Sequence, residues 1–315
     1  MLAAILAILG WGLIIAYSEN SAISGLVTTL LSVGIFVQLG PPLKAFWSYL
    51  YDGNWQGRFN IGMFHELEIM FGVTSLLVAF CFLSGRMGLA ETISMILVYC
   101  AGWHANYQLI FWLKSSKFAG EIENSDSVGG NSIYLFAAVV GLIVSLFLGL
   151  KPGRNTTNTG SRQSALIALM GTGFVFAAAP FSGLQFATTS GLYEFPLNVY
   201  FALTASVATT YAFSALFGDY RIGIRESLVG VLGGVAMIAS VASYINNIGG
   251  CLALGALAGL VSGMWLRIFH PRINSDSRYD QLGLIGPVLI NSILGSFAVA
   301  PILFMVYKSE GFIPS

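Results

Sequence analysis

The segment from Asp126 to Tyr134 brings an acidic side chain, two glycines and a phenol to the start of a long apolar run. A carboxylate at a helix N-terminus accepts hydrogen bonds from unpaired backbone N–H groups, and the positive end of the helix dipole favours its charge. We interpret Asp126 as a structural residue of this kind, with recruitment of a cation to the helix mouth as the alternative. Gly129 and Gly130 favour close packing between helices.

Two of the histidines lie at positions where a titratable side chain can take part in chemistry. His65 and Glu68 are three residues apart, so they can pair on one face of a helix. A metal site needs at least one more ligand, which the sequence does not offer, so we interpret the pair as structural. His104 lies in the middle of an apolar run beside Trp103. We expect a packing histidine there, with a proton relay as the alternative.

The sequence contains none of the motifs that identify common soluble enzymes: no P-loop, no GxSxG, no HExxH and no CxxC. Its three cysteines, Cys81, Cys100 and Cys251, lie inside apolar runs and behave as small hydrophobic side chains. The net charge is zero, which gives no reason to expect a nucleic acid partner. We predict no enzymatic activity, no catalytic residue, no metal and no cofactor.

The elements that position these residues are apolar helices. Of 315 residues, 56% are hydrophobic and 9% are charged, against about 25% charged in an average soluble protein. Apolar runs of roughly 18 to 25 residues can cross the hydrocarbon core of a bilayer, and they recur along the whole chain. The sequence therefore predicts an all-α integral membrane protein with ten spans, near 1–17, 22–39, 61–84, 90–113, 129–150, 164–180, 195–217, 227–245, 250–267 and 281–307.

The flanking residues predict how these spans are arranged. The first run lacks a basic start and a cleavage site, so we expect a spanning helix there and no signal peptide. Aromatic residues such as Trp47 and Tyr51 in the 40–60 connection suit a short interfacial helix. Nine basic residues fall on one side of the membrane and five on the other. The positive-inside rule then places both termini outside.

Several segments resemble, in matching order, the signature regions of the ammonium transporter and Rhesus family. The segments that carry this resemblance are Asp126 with Gly129 and Gly130, 171–174 with Pro180, the glycine-rich 249–262, and Asp280 with Gly283. The resemblance implies two five-helix halves of inverted topology around a central pore, here 1–150 and 164–315, joined by an inner-side linker at 151–163. It also implies assembly as a trimer. Because the sequence ends at residue 315, we expect the eleventh helix of typical members to be absent.

The resemblance assigns two central pore positions, which hold histidines in the family. Counting from Asp126 places Tyr134 at the first position, and counting from Asp280 places Val288 at the second. Valine has no donor, acceptor or titratable group, so it cannot relay a proton.

Two further pore positions correspond to the stacked phenylalanines that gate the family pore. The alignment places Val98 at the first and Ser182 at the second, with Phe181 next to Ser182 as a side chain that can compensate. All four pore positions thus differ from the family pattern.

These changes predict a divergent family member with altered function. We expect a non-conducting or altered chain that serves as a structural subunit of a membrane complex, either as a homotrimer or with other membrane subunits. The alternative is a channel for ammonia, ammonium or another small neutral molecule. A membrane-embedded enzyme is the weakest hypothesis. The mitochondrial inner membrane and the plasma membrane fit the sequence equally well.

Overall fold

The structure is a computed structural model, and it describes residues 1–19, 22–53, 62–83, 87–115, 129–148, 162–182, 194–217, 223–245, 247–273 and 282–309. Within these ranges all regular structure is helical. The helices are Leu2–Glu19 (α1), Ala22–Asp52 (α2), Met63–Leu83 (α3), Leu89–Ser115 (α4), Gly130–Leu135 continuing as Phe136–Leu148 (α5), Arg162–Ser182 (α6), Glu194–Phe217 (α7), Ile224–Ile238 (α8), Ile248–Met264 continuing through Trp265–Phe269 and His270–Ile273 (α9), and Ile285–Ile290 continuing as Asn291–Ser309 (α10).

These ten helices overlap the ten predicted spans, one for one. Seven stretches of the described chain are long and apolar enough to cross a membrane: Gly25–Tyr51, His65–Leu83, Gly130–Leu148, Ala165–Ser182, Glu194–Phe217, Ile248–Arg272 and Ile285–Ile302. A shorter apolar stretch covers Leu2–Ala16. The all-helical membrane fold predicted from composition is confirmed.

Helix α2 differs from its predicted span. The sequence predicts that the span ends at 39 and that a separate interfacial helix follows, but α2 continues through Pro41 and Pro42 to Asp52. Proline removes a backbone donor, which a membrane helix tolerates where neighbouring helices supply other contacts. At 31 residues, α2 is about 46 Å long, which exceeds a hydrocarbon core of about 30 Å. Its C-terminal turns therefore extend beyond the apolar layer.

Helices α5 and α10 begin in the same unusual way. Each starts with a six-residue π-helical turn, Gly130–Leu135 in α5 and Ile285–Ile290 in α10. A glycine with positive φ precedes each turn, Gly129 at 84° and Gly283 at 76°. Side chains other than glycine rarely adopt this left-handed conformation. The chain therefore repeats the same local design in two places, with an acidic residue three positions before each glycine.

Helices α3 and α8 share a second repeated pattern. A buried glutamate is followed four residues later by a close-packed glycine, as Glu68 with Gly72 and Glu226 with Gly230. A Cβ on Gly72 would lie 2.6 Å from the ring of Phe36 in α2. A Cβ on Gly230 would lie 3.1 Å from the backbone of α7. The two patterns fall one in each predicted half.

Glycines allow the closest helix crossings, as the sequence predicts. Helices α1 and α6 cross where a Cβ on Gly10 would lie 2.7 Å from the carbonyl oxygen of Gly171, and one on Gly171 would lie 2.6 Å from that of Gly10. Helices α7 and α9 approach closely at Gly255, where an added Cβ would lie 2.1 Å from the carbonyl oxygen of Ala202. Membrane helices gain van der Waals contact from such backbone approach.

Candidate functional site

A small cavity lies beside Tyr134, between the first helices of the two predicted halves. Its volume is about 20 Å³, enough for roughly one water molecule. It is lined by Ala4, Ala7 and Trp11 of α1, Phe71 and Thr74 of α3, Ile133 and Tyr134 of α5, and Val175, Ala179 and Ser182 of α6. The lining is mainly apolar, with hydroxyl groups from Thr74, Tyr134 and Ser182.

The π-helical turn of α5 positions Tyr134 at this cavity. The backbone N–H of Tyr134 donates to the carbonyl of Gly129 at 3.3 Å, across the wider loop of a π-helix. Side chains of neighbouring helices donate hydrogen bonds to other carbonyls of the turn. The hydroxyl of Ser75 in α3 donates to the carbonyl of Ile133 at 2.9 Å, and the indole N–H of Trp103 in α4 donates to that of Ser132 at 3.2 Å. The turn is therefore fixed from two sides.

The matching turn of α10 positions Val288. The backbone N–H of Val288 donates to the carbonyl of Leu284 at 2.8 Å, and the hydroxyl of Ser292 donates to the carbonyl of Val288 at 2.6 Å. Val288 is fully buried, with 0% of its surface exposed. The two π-helical turns contact each other, and the hydroxyl of Ser296 in α10 donates to the amide oxygen of Asn131 in α5. Tyr134 and Val288 thus lie on facing segments, as the aligned spacing predicts.

The side chains predicted at the gate positions fall in different environments. Ser182 lines the cavity, and its hydroxyl donates to the carbonyl of Ala179 at 2.8 Å. Phe181 is 55% exposed and is not among the residues that line the cavity. The expectation that Phe181 compensates for Ser182 stays a prediction. Adjacent residues on a helix point about 100° apart, which separates these two side chains.

Val98, predicted at the first gate position, does not face the protein interior in this structure. Val98 is 72% exposed, because α4 turns Tyr99, Cys100 and Trp103 toward the protein interior and leaves Val98 on the outer surface. The aromatic residues that do line the cavity are Trp11 and Phe71, from α1 and α3. Counting along α4 missed them because they lie on other helices. Their helices are apolar over their length, so no sequence pattern singled them out.

The remaining predicted site residues are the acids and glycines before the two turns. Asp126 and Asp280 lie outside the described residues. Gly129 supplies the left-handed residue before the turn. Gly130 packs against the end of α8, where an added Cβ would lie 2.0 Å from the hydroxyl oxygen of Ser240. Gly130 therefore lies at a close contact with another segment of the chain, whereas Gly129 is required by the left-handed backbone of the turn.

The histidines and the glutamate singled out in α3 and α4 lie away from this cavity. Glu68 pairs with Lys44 of α2, and His65 Nδ1 is 3.9 Å from the same carboxylate oxygen. His104 is 1% exposed, and its Nδ1 lies 2.8 Å from the carbonyl oxygen of Cys100. Within the described chain, no group of three or more His, Cys, Asp or Glu side chains is arranged to hold a metal ion.

The fold and the cavity together define a multi-pass helical membrane protein in which two equivalent π-helical turns meet beside a small buried cavity. Residues 1–312 match the family model described as Ammonium Transporter Family. The chain belongs to the ammonium transporter family.

Individual relatives agree with this assignment. The chain is 26% identical over 306 residues to the ammonium transporter Rh type B of Rattus norvegicus, covering 94% of this chain and 64% of the relative. It is 26% identical over 276 residues to that of Sus scrofa, covering 86% of this chain and 58% of the relative. The chain thus spans about three fifths of the length of the curated relatives it matches.

Solved structures share the fold. The Rh50 channel of Nitrosomonas europaea superposes with a TM-score of 0.79 at 20% identity, covering 98% of this chain and 81% of that one. Mep2 of Saccharomyces cerevisiae superposes with a TM-score of 0.70 at 14% identity, covering 95% of this chain and 72% of that one.

Proposed function

We propose that this chain does not conduct ammonium ions and serves as a structural subunit in the membrane, as a homotrimer or with other membrane subunits. The observation that carries the proposal is the junction of the two π-helical turns. Fully buried Val288 occupies one side, and Tyr134 occupies the other beside a cavity of about 20 Å³. A cation at mid-membrane without polar partners costs several kcal/mol, and these side chains provide little to offset that cost.

We also propose that the fold consists of two inverted halves, 1–150 and 164–315, joined by the linker at 151–163. The left-handed Gly129 and Gly283, each before a π-helical turn, support this division. The glutamate-to-glycine patterns of α3 and α8 support it independently. Inverted repeats with a pathway at their interface are a general design of membrane transporters.

A channel for a small neutral molecule such as ammonia is the second candidate. Thr74, Tyr134 and Ser182 line the cavity and favour it. The hydroxyls of Thr74 and Ser182 donate to the carbonyls of Met70 and Ala179, so their oxygens can accept from a neutral molecule without the desolvation cost of a cation. The two candidates differ in their expected fluxes: the structural subunit passes neither species, and the neutral channel passes ammonia alone.

Flux into liposomes tests both candidates. The purified chain is reconstituted, methylammonium uptake is followed with a radiolabel, and ammonia entry is followed as alkalinisation of an internal pH dye. Our proposal expects both signals to equal those of empty liposomes. Saturable methylammonium uptake above that baseline contradicts it, whereas ammonia entry alone favours the neutral channel.

Two variants establish whether any flux passes the cavity. Tyr134→Trp enlarges a side chain of the cavity wall and is expected to abolish flux through it. Val98→Trp introduces the same side chain at a position that is 72% exposed and serves as the matched control. Equal loss in both variants indicates that the flux does not pass the cavity.

A further inference from the structure

A second polar site lies on another face of α3, toward α2 and α4. Phe71 and Thr74 of α3 line the central cavity, whereas Glu68 contacts Lys44 of α2. Gly72, one turn after Glu68, faces Phe36 of α2. The helix α3 thus separates this region, which we call the side chamber, from the central cavity.

His104 belongs to the side chamber because its ring lies against Gly40 of α2. A Cβ on Gly40 would lie 3.4 Å from Nε2 of His104 in α4 and 3.0 Å from the side chain of Ile69, the residue after Glu68. Lys44 lies one helical turn beyond Gly40 on the same face of α2. His104 is close enough to Lys44 to interact with it electrostatically. The chamber is therefore defined by Gly40, Lys44, Glu68, Ile69 and His104.

Among the described residues, two buried atoms of the chamber lack a hydrogen-bond partner: Oε1 of Glu68 and Nε2 of His104. Both are acceptors. The carboxylate of Glu68 is paired with Lys44 through Oε2, and an ionised carboxylate has no proton to donate. The carbonyl of Cys100, 2.8 Å from Nδ1 of His104, can only accept, so Nδ1 carries the ring hydrogen and Nε2 presents a lone pair.

Leaving a buried acceptor unpaired costs about 1 to 3 kcal/mol, so two such atoms in one region indicate a missing donor. The charges indicate its type. Lys44 already balances Glu68, so an added cation would leave a net charge in a site whose acid is 7% exposed. A neutral molecule with several N–H or O–H groups donates to the acceptors without that charge.

We propose that the side chamber binds a small neutral hydrogen-bond donor of water size, which donates to Nε2 of His104 and, directly or through a second such molecule, to Oε1 of Glu68. Its lone pair accepts from the ammonium of Lys44. Lys44 is about one third exposed (32%), so the site is reached from the end of the bundle where α2 extends beyond the apolar layer. Water and ammonia share this chemistry and are the two sources to separate.

Substitution of His104 tests the proposal through its effect on stability. His104→Phe keeps a flat ring but removes the acceptor. If the chamber is filled, this change removes the partner of a bound donor and lowers the thermal midpoint Tm. If the chamber is empty, the change removes an unpaired buried acceptor, and the bond from Nδ1 to Cys100 is lost in His104→Phe and His104→Gln alike, so the Tm of His104→Phe is no lower than that of His104→Gln. His104→Gln keeps a hydrogen-bonding atom near the position of Nε2 and is expected to retain most of the native Tm.

The full-length chain is measured in detergent by thermal unfolding. A lower Tm in His104→Phe with retention in His104→Gln supports the proposal. An unchanged or raised Tm in His104→Phe overturns it, as does an equal loss in both variants, which indicates packing alone. If His104→Phe does not fold, a high-resolution cryo-EM map of the native chain decides. Density within hydrogen-bond distance of Nε2 of His104 supports the proposal, and its absence overturns it.

Ammonium chloride at alkaline pH, where much of the total is neutral ammonia, separates the two sources. A Tm that rises with ammonium chloride in the native chain, but not in His104→Gln or with equal sodium chloride, identifies ammonia as the occupant. An equal response to both salts excludes ammonia, and it leaves water as the occupant when the His104 variants show that the chamber is filled. Both results agree with a neutral donor, and neither depends on whether the central cavity conducts.

Discussion

Tyr134 and Val288 lie at corresponding positions of the two π-helical turns but have chemically different side chains. Each follows a left-handed glycine by five residues, and each lies on a π-helical turn. Tyr134 contributes a hydroxyl to the cavity wall, whereas Val288 contributes only methyl groups in a fully buried position. Backbone geometry is thus shared while the chemistry of the two turns differs. Substitution of a left-handed glycine before a turn therefore has a direct effect on stability.

Gly129→Ala is expected to destabilise the protein. Its φ of 84° places an alanine in the left-handed region, and the added Cβ would lie 2.5 Å from the side chain of Ile133. The conformational cost alone is about 1 to 2 kcal/mol. Thermal unfolding of the purified chain in detergent measures the effect. Gly34→Ala in α2 is the control, since its Cβ meets nothing within 4 Å. Equal stability of the two variants contradicts the left-handed assignment.

A second ion pair joins α8 to α9. Nη2 of Arg267 lies 2.6 Å from Oε1 of Glu226, and the two side chains are 26% and 7% exposed. We expect Glu226→Ala to cost about 2 kcal/mol, because it removes the carboxylate from a partly buried guanidinium and leaves Nη2 unpaired; solvent contact at Arg267 and the bond from its Nε to Ser214 keep the loss below that of a fully buried pair.

The same unfolding assay checks this ion pair with two comparison variants. Glu226→Gln retains an acceptor for Arg267 and should lose less stability than Glu226→Ala. Glu66→Ala changes an exposed acid and should stay within about 0.5 kcal/mol of the native chain. If Glu66→Ala loses as much stability as Glu226→Ala, the buried ion pair contributes no more to the free energy of unfolding than an exposed acid does.

At the scale of helices, two features organise the bundle: close glycine crossings and the π-helical turns. The crossing of α1 and α6 depends on mutual backbone contact at Gly10 and Gly171. The turn of α5 leaves carbonyls to which Ser75 of α3 and Trp103 of α4 donate hydrogen bonds. Each feature needs a neighbouring helix at a fixed distance, so both depend on assembly of the bundle.

Gly171→Ala is expected to separate α1 from α6 and to cost about 1 to 3 kcal/mol, because its Cβ would lie 2.6 Å from the backbone of Gly10. Gly173→Ala, two residues further along α6, meets nothing within 4 Å. Alanine should therefore be neutral there or stabilise the helix by up to about 1 kcal/mol. Thermal midpoints of the two variants provide the comparison, and a similar change in both would argue against a close crossing.

At the scale of the whole molecule, the distribution of basic residues predicts orientation. The linker at 151–163 should face the side with more positive charge, and the connection after α4 should face the opposite side. In a cysteine-free background, Arg154→Cys and Lys114→Cys each introduce one thiol. A membrane-impermeant maleimide applied to intact cells should label the Lys114→Cys chain and should label Arg154→Cys only after permeabilisation. The reverse pattern would invert the topology.

The sequence alone determined the fold class, the positions of ten helices and the family resemblance, and it predicted Tyr134 and Val288 as corresponding positions. Hydrophobic run length and the fixed spacing from Asp126 and Asp280 are local properties, so they can be read along the chain. Composition also indicated that glycine would serve helix packing. The ends of helices were predicted less well, as α2 shows, because neighbouring helices allow a proline pair within a helix.

Only the tertiary structure decided which side chains meet. It placed Val98 and Phe181 on the outer surface, brought Trp11 and Phe71 to the cavity, and paired Glu68 with Lys44 from a different helix. In an almost uniformly apolar helix, periodicity does not distinguish the face toward lipid from the face toward protein, because both are apolar. Helix rotation is set by backbone approach at glycines and by π-helical turns, which exist only once the helices have packed.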